Sequence, residues 1–191
     1  MTKPPVLLGC GILQKEIEHL IQKNAWSLST DFLAASLHVN FEKLASELQQ
    51  GFIRHQDEEV IVFYGHCHPK MEHIVAANCC HRTQAQNCVE MLLGSELFSE
   101  HLTQGAFFLL EDWVLNWDNV IIETFGNKPD ITREIFQLSH RYFLGLCTPC
   151  SGDYAEAAEK ISVAMGLPLR WLQVDLVQLE SVLKRAIQHN K

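Results

Sequence analysis

Apolar residues along the chain fall into short unbroken runs separated by stretches in which they recur three and four positions apart. The first pattern suits strands buried on both faces, and the second suits helices with one buried stripe. "PPVLLGC" reads as a first strand. "GILQKEIEHLIQKN" follows as a helix with Ile12, Leu13, Ile17, Leu20 and Ile21 on one stripe. "WSLSTDFL" is a second strand. "NFEKLASELQQG" is a helix capped by Asn40, with Phe41, Leu44 and Leu48 inward and Gly51 at its end. "EEVIVFYGHC" is rich in β-branched and aromatic residues and predicts a strand, and "EHIVAANCC" predicts another short one.

"NCVEMLLGSELFSEHLTQ" predicts a helix interrupted at Gly94–Ser95, with Asn87 able to cap it. "GAFFLLEDW" and "RYFLGLC" predict strands on either side of the helix "DITREIFQLSH", for which Asp130 is the expected cap. "GDYAEAAEKISVAMG" is an alanine-rich helix ending at Gly166. "LRWLQVD" and "LVQLESVLKRAIQH" close the series as strand and helix. Strands alternating with helices predict an α/β fold: a mainly parallel sheet with helices on both faces, a Rossmann-like three-layer sandwich. Without a linker or repeat, residues 1–191 read as a single domain.

Composition adds that the chain is of ordinary globular make-up, 47% hydrophobic and 20% charged, with a net charge of −8. It shows no basic face or stripe, so nucleic acid and anionic membrane are not expected partners. No run of about eighteen apolar residues predicts a transmembrane helix, and "MTKPPVLLGCGILQKEIEHL" is not the pattern of a signal peptide. The seven cysteines are odd in number and irregular in spacing. A core of this size needs no disulfides, and the expected compartment is a reducing cytoplasm.

The cysteine positions change the picture most. "YGHCHPKMEHIVAANCCHRTQAQNC" holds four of them, Cys67, Cys79, Cys80 and Cys88. In open α/β sheets, ligands bind beyond the carboxyl ends of the strands. Cys10, Cys67 and Cys147 end strands in this reading, Cys88 opens a helix, and Cys150 stands just before one. A parallel sheet brings such ends to one edge. Thiols at helix N-termini are expected to have lowered pKa values, and thiolates bind soft or borderline metals and iron–sulfur clusters. The bland alternative is that buried cysteine serves as a small hydrophobe. No zinc-ribbon or ferredoxin spacing is present, so any centre is assembled from distant segments.

His66 and His68 flank Cys67 and are either ligands of the same ion or loop residues. Gly65 permits a turn and Pro69 holds His68 extended, so Cys67 should project from the sheet edge. If "HIVAANCC" is extended, Cys79 and Cys80 point in opposite directions. Cys80, nearer the helix of Cys88, is then the auxiliary ligand. "CTPC", Cys147 to Cys150, is either a redox couple, a ligand pair or neither. Trp113 and Trp117 are either core residues or an aromatic wall over a pocket. GxGxxG, Walker A and GxSxG motifs are absent.

Taken in order, "LLGCGILQKEI", "IVFYGHC", "NCVEMLLGS" and "GAFFLLEDWVLNW" resemble an uncharacterised bacterial and archaeal domain-of-unknown-function family with ACG, YGxC, DCxxxLG and WxxxW motifs. The family's genes often lie near those of corrinoid-dependent methyltransferases. The resemblance implies that Cys10, Cys67 and Cys88 are shared cysteines and that Gly65, Gly94, Trp113 and Trp117 are shared positions. Cys79, Cys80, Cys147 and Cys150 do not match. It also implies a setting in anaerobic one-carbon or methyl-transfer metabolism, with a small molecule or a partner metalloenzyme of a corrinoid methyltransferase system as partner.

The expectation is therefore a metal protein in which Cys10, Cys67 and Cys88 hold a [4Fe–4S] cluster or a zinc ion. One position stays open, or is filled by Cys80, His66 or His68. The rivals are a metal-free thiol enzyme, with Cys67 or Cys10 as nucleophile and His66 or His68 as base, and a thiol–disulfide protein using Cys147 and Cys150.

Overall fold

The computed structural model of the chain describes residues 3–78 and 80–188. By internal packing these divide into two compact units, one from residues 1–94 with 176–191 and the other from residues 95–175.

The first unit is built on a four-stranded parallel sheet. β1 (Val6–Cys10) pairs with β2 (Ser29–Leu33) on one side and β3 (Val60–Phe63) on the other, and β3 pairs with β4 (His81–Arg82). Every residue of β1 and β3 is buried. Neighbouring strand residues face opposite sides, so both faces of these central strands are covered. The edge strand β2 has only Leu33 fully buried.

The helical stripes follow the sequence pattern. α1 (Gln14–Asn24), entered through a 3₁₀ turn at Gly11–Leu13, buries Ile17 and Leu20. α2 (Phe41–Arg54) buries Leu44, Leu48 and Phe52 at four-residue spacing. Each fully buried leucine contributes about 1.5–3 kcal/mol. Asn40 caps α2 by accepting a hydrogen bond from the Lys43 N–H at 3.1 Å. Phe41, expected inward, is instead half exposed and meets the His68 ring edge-on, because the first residue of the helix lies a turn ahead of the buried stripe.

The segment expected to be a strand, "EHIVAANCC", is helical over α3 (Met71–Ala77). Met71 and Val75, four apart, face inward, and Ala76 and Ala77 are strong helix formers. The short apolar run fits either period, and the inward pair decides it. The strand forms just beyond the expected segment, as β4 at His81–Arg82. α4 (Cys88–Leu93) is capped by Asn87, whose side chain accepts from the Glu90 N–H at 3.0 Å. Gly94 ends it at φ +82°, a backbone state that suits glycine. α10 (Val177–Gln188) packs against α4 and buries Leu179, Val182 and Leu183.

The second unit holds a three-stranded parallel sheet with β6 (Tyr142–Cys147) between β5 (Ala106–Leu109) and β7 (Leu169–Gln173). Its helices are α5 (Ser95–Thr103), α6 (Glu111–Leu115), α7 (Trp117–Phe125), α8 (Pro129–Ser139) and α9 (Ala155–Met165). An aromatic core joins Trp117, Phe136 and Phe143, with Phe107 packed against it. The Phe107–Phe136 rings are 5.0 Å apart and the Trp117–Phe136 rings 5.5 Å. Asp130, the expected cap of α8, lies inside the helix. Lys128 holds the cap position and Pro129 is the first helical residue, where its missing N–H leaves no intrahelical bond unmade. Gly166 closes α9 in the left-handed conformation. The chain is thus α/β with parallel sheets, as the alternation implies, but its strands are shared between two sheets. Strand pairing is a long-range choice that local periodicity does not encode.

Candidate thiol site

β1 and β3 run parallel with Gly9 opposite Phe63, so Cys10 and Tyr64, one step further on, leave the sheet side by side. β3 is held rigid by its neighbours. The chain then turns through Gly65 so tightly that a Cβ there would stand 2.6 Å from the Gln86 carbonyl carbon and 2.7 Å from the Asn87 Cα. That close approach requires glycine. It brings the β3 turn against the start of α4, fastened by the His66 N–H donating to the Gln86 carbonyl at 2.7 Å. The side chain of Cys88, first residue of α4, thereby reaches the same place.

Cys10 and Cys88 share a side-chain hydrogen bond, and Cys67 is close enough to both to act on them electrostatically. Cys10 and Cys88 are buried and Cys67 is half-buried. None of the six described cysteines is in a disulfide.

Cys67 and Cys88 are held in their protonated form. Cys88 is pushed well above the usual thiol range by its hydrogen bond with Cys10, by burial, and by the charges Cys10 and Cys67 would carry. Cys67 is raised by burial and by Cys10, against a smaller lowering from the Gly65 backbone and Arg82. The expected lowering at a helix start is thus reversed for Cys88: α4 is a single short helix, and desolvation and a second thiol outweigh it.

Tyr64 lies in the same cluster, 1% exposed. Its hydroxyl is buried and has no hydrogen-bond partner among the described residues. Burial raises its pKa, and Cys10, Cys88, Cys67 and Asp31 add to the rise. Its carbonyl is held by the Thr83 hydroxyl at 3.1 Å and by Arg82 at 3.3 Å. The Arg82 guanidinium also reaches His66 Nε2 at 3.3 Å and Glu72 at 3.6 Å. Tyr64, Arg82 and Thr83 were not legible as site residues. Tyr64 looks like one more aromatic of a strand, and no local pattern marks the other two.

The other candidates are placed as follows. Cys80 is half-buried and its thiol donates to the Asn78 carbonyl at 3.2 Å. With α3 helical, the argument from alternating directions in an extended strand no longer applies to it. Cys79 lies outside the described residues. His66 is exposed. His68 Nδ1 accepts from the Lys70 N–H at 2.9 Å, which leaves its other nitrogen for any further contact. Gly65 forms the tight turn already described, and Gly94 stands beside Gln178 of α10.

Cys147, Cys150, Trp113 and Trp117 belong to the second unit. Cys147 ends β6 and Cys150 sits in a turn where its N–H donates to the Thr148 hydroxyl at 3.1 Å. Trp117 is in the aromatic core and also borders, with Ile121, Thr132 and Ile161, a groove of about 450 Å³. Trp113 is partly buried, 6.2 Å from the Phe107 ring. Among the described residues, no group of three or more His, Cys, Asp or Glu side chains is placed so that it could hold a metal ion, and no helix is long and apolar enough to cross a membrane.

Fold and site together define an α/β protein of parallel sheets with a buried group of thiols at the carboxyl edge of one of them. The chain belongs to the family described as Protein of unknown function (DUF1638), whose profile matches residues 32–183. That span includes Cys67 and Cys88 and begins after Cys10. No curated protein and no solved structure matches the chain.

Proposed function

We propose that the chain is a metal protein in which Cys10, Cys67 and Cys88 bind one thiophilic ion such as zinc and leave one coordination position open. The observation that carries this reading is the meeting of three thiols from three separate segments, two of them hydrogen-bonded, at a strand-end edge. Two sulfurs close enough to share a hydrogen bond suit one ion: Zn–S bonds of about 2.3 Å put tetrahedral thiolates roughly 3.8 Å apart. A [4Fe–4S] cluster gives each cysteine its own iron and spreads the sulfurs further. Among the described residues the three thiols do not form such a group, so binding would require the half-buried Cys67 side chain to turn toward the buried pair.

A nucleophilic cysteine needs a depressed pKa, whereas Cys67 and Cys88 are raised. A dipositive ion supplies the charge that makes such thiols ionise. A thiolate-rich ion with an open position binds a soft small molecule or a group offered by a partner metalloenzyme. The one-carbon setting implied by the sequence resemblance is the class of chemistry this serves, in a reducing cytoplasm that keeps the thiols intact.

The test is metal and sulfide analysis of anaerobically purified protein. One ion per chain without sulfide, lost in Cys67→Ala and Cys88→Ala while circular dichroism is unchanged, is expected. Wild-type protein free of any stoichiometric metal sinks the reading, and stoichiometric sulfide with iron replaces the single ion by a cluster.

A further inference from the structure

α10 buries Leu179, Val182 and Leu183, and the next position of that stripe is the small Ala186. On the sheet side, β4 is only two residues long. A small residue at the end of the helical stripe and a short edge strand leave space between them. It forms a cavity of about 540 Å³ in the first unit, bordered by Ile61 of β3, Arg82 and Gln84 at β4, and Val182, Arg185 and Ala186 of α10. Cavities of about 300–1,000 Å³ are the size of small-molecule sites.

The lining joins two kinds of chemistry. Ile61 and Val182 are buried side chains that give it an apolar wall. The polar wall carries two guanidinium groups, and none of the described residues lining the cavity is acidic. That runs against the chain as a whole, in which 23 acidic residues outnumber 15 basic ones. The Arg82 side chain is largely buried. It donates to the Tyr64 carbonyl at 3.3 Å and the Thr83 carbonyl at 3.2 Å, and the carboxylate paired with it, on exposed Glu72, stands 3.6 Å away. Arg185 is exposed and has no hydrogen bond or ion pair among the described residues.

We propose that this cavity binds a small organic carboxylate, its apolar body against Ile61, Val182 and Ala186 and its carboxylate on the Arg185 guanidinium. The proposal is independent of the metal reading given above. The planar fork of a guanidinium matches the two oxygens of a carboxylate. One cation without a partner balances one negative charge. A phosphate dianion asks for more donors, and those of Arg82 are already engaged by two carbonyls and His66. A neutral apolar molecule fills the cavity but gains nothing from Arg185. The plainer role for Arg185 is to complement the helix dipole, since it stands in the last turn of α10. The two roles part on ligand affinity.

The experiment titrates the full chain with octanoate, octanol and inorganic phosphate by calorimetry. Octanoate should bind, and octanol and phosphate, each offering half of the ligand, should bind roughly tenfold more weakly or worse. Arg185→Gln should weaken octanoate about tenfold, the loss expected for a hydrogen bond to a charged partner, and leave octanol unchanged. Ala186→Phe, which fills the cavity, should abolish octanoate binding while circular dichroism keeps its wild-type form. In wild type alone, octanoate should shift the amide resonances of residues 82–84 and 182–186 most, a readout that needs no variant.

Wild type that fails to bind octanoate overturns the proposal. Equal octanoate affinity in wild type and Arg185→Gln, with a lower melting temperature in the variant, leaves Arg185 as a helix-end cation only and overturns it as well. Octanol binding as tightly as octanoate removes the carboxylate from the ligand class, and amide shifts centred on other residues remove the ligand from this cavity.

Discussion

All three tyrosines of the chain are buried, but the two units treat them differently. In residues 95–175, Tyr154 donates to the Leu146 carbonyl at 2.7 Å. Tyr142 shares hydrogen bonds with His101 at 2.9 Å and Gln104 at 3.3 Å. In the first unit, Tyr64 has no partner for its hydroxyl among the described residues. The cysteines divide in the same way. The CTPC turn satisfies itself locally, with Thr148 N–H donating to the Ser151 hydroxyl at 3.0 Å and Cys150 N–H donating to Thr148. Among the dispersed thiols, Cys88 is hydrogen-bonded to Cys10, and Cys67 and Cys88 are held protonated. A region whose tyrosine hydroxyls are all met gains stability from them. A region that leaves a hydroxyl unmet beside raised thiols has its chemistry still to complete.

The sharpest way to break this comparison is to exchange the roles of the two cysteine groups. Cys67→Ala or Cys88→Ala should abolish metal binding, and Cys147→Ser with Cys150→Ser should leave the stoichiometry unchanged, as measured on anaerobic protein. Equal loss in both sets would make the CTPC turn part of the centre.

The second unit should answer to packing. Trp117→Ala removes an indole from the Phe107, Phe136 and Phe143 contacts and should cost about 3–5 kcal/mol in denaturant unfolding. A loss below about 1 kcal/mol would return Trp117 to the role of a pocket wall.

Two glycines set the units against each other more finely. Gly65→Ala drives a Cβ into the Gln86 and Asn87 backbone. It should destabilise the fold by about 2–3 kcal/mol and weaken metal binding. Gly126→Ala, at φ +71° with open space around it, should cost only about 1 kcal/mol and leave metal binding alone. Equal effects on metal binding would mean that the turn at Gly65 does not position Cys67.

The smallest effect expected is acid sensitivity. Burial pushes the Asp31 carboxyl up, but hydrogen bonds and charge from Arg54 and His55 outweigh it and hold it below its ordinary value. His55 and Lys3 do the same for Glu58. Lys184 and Lys23 hold Glu180 down to about 2. A depressed carboxyl stabilises above its unfolded pKa, and that stability is lost as pH falls through the folded value. These three all belong to the first unit, whereas in the second the lowered carboxyl is Glu156, exposed and paired within its own helix. Amide exchange followed from pH 4.5 toward about 2 should therefore quicken first in the first unit, and modestly, since such pairs are partly exposed. Earlier quickening in residues 95–175 would count against this ordering.

Much of the architecture was legible because it is written locally. β1 and β3 are unbroken apolar runs, Asn40 and Asn87 stand where the first turns need an acceptor, and Gly166 ends its helix where a left-handed residue is required. The strand end carrying Cys10 followed from the same runs, whereas Cys67, expected to end its strand, lies in the loop after β3, which ends at Phe63. What misled was equally local: "IVAA" satisfies a strand period as well as a helical one, and Pro129 at the first helical position made Asp130 unnecessary as a cap.

The sequence by itself determined the α/β class, most of the elements and which thiols stand at strand ends and helix starts, because period, capping and turn chemistry act over a few residues. Only the tertiary structure decided that the strands divide into two sheets, that Gly65 seats its turn against Gln86 and Asn87, that Cys10 meets Cys88, and that Tyr64 brings an unmet hydroxyl to them. Each of these joins residues from separate elements. Whether a buried polar group finds a partner depends on which distant side chains the packing delivers, and no local pattern carries that information.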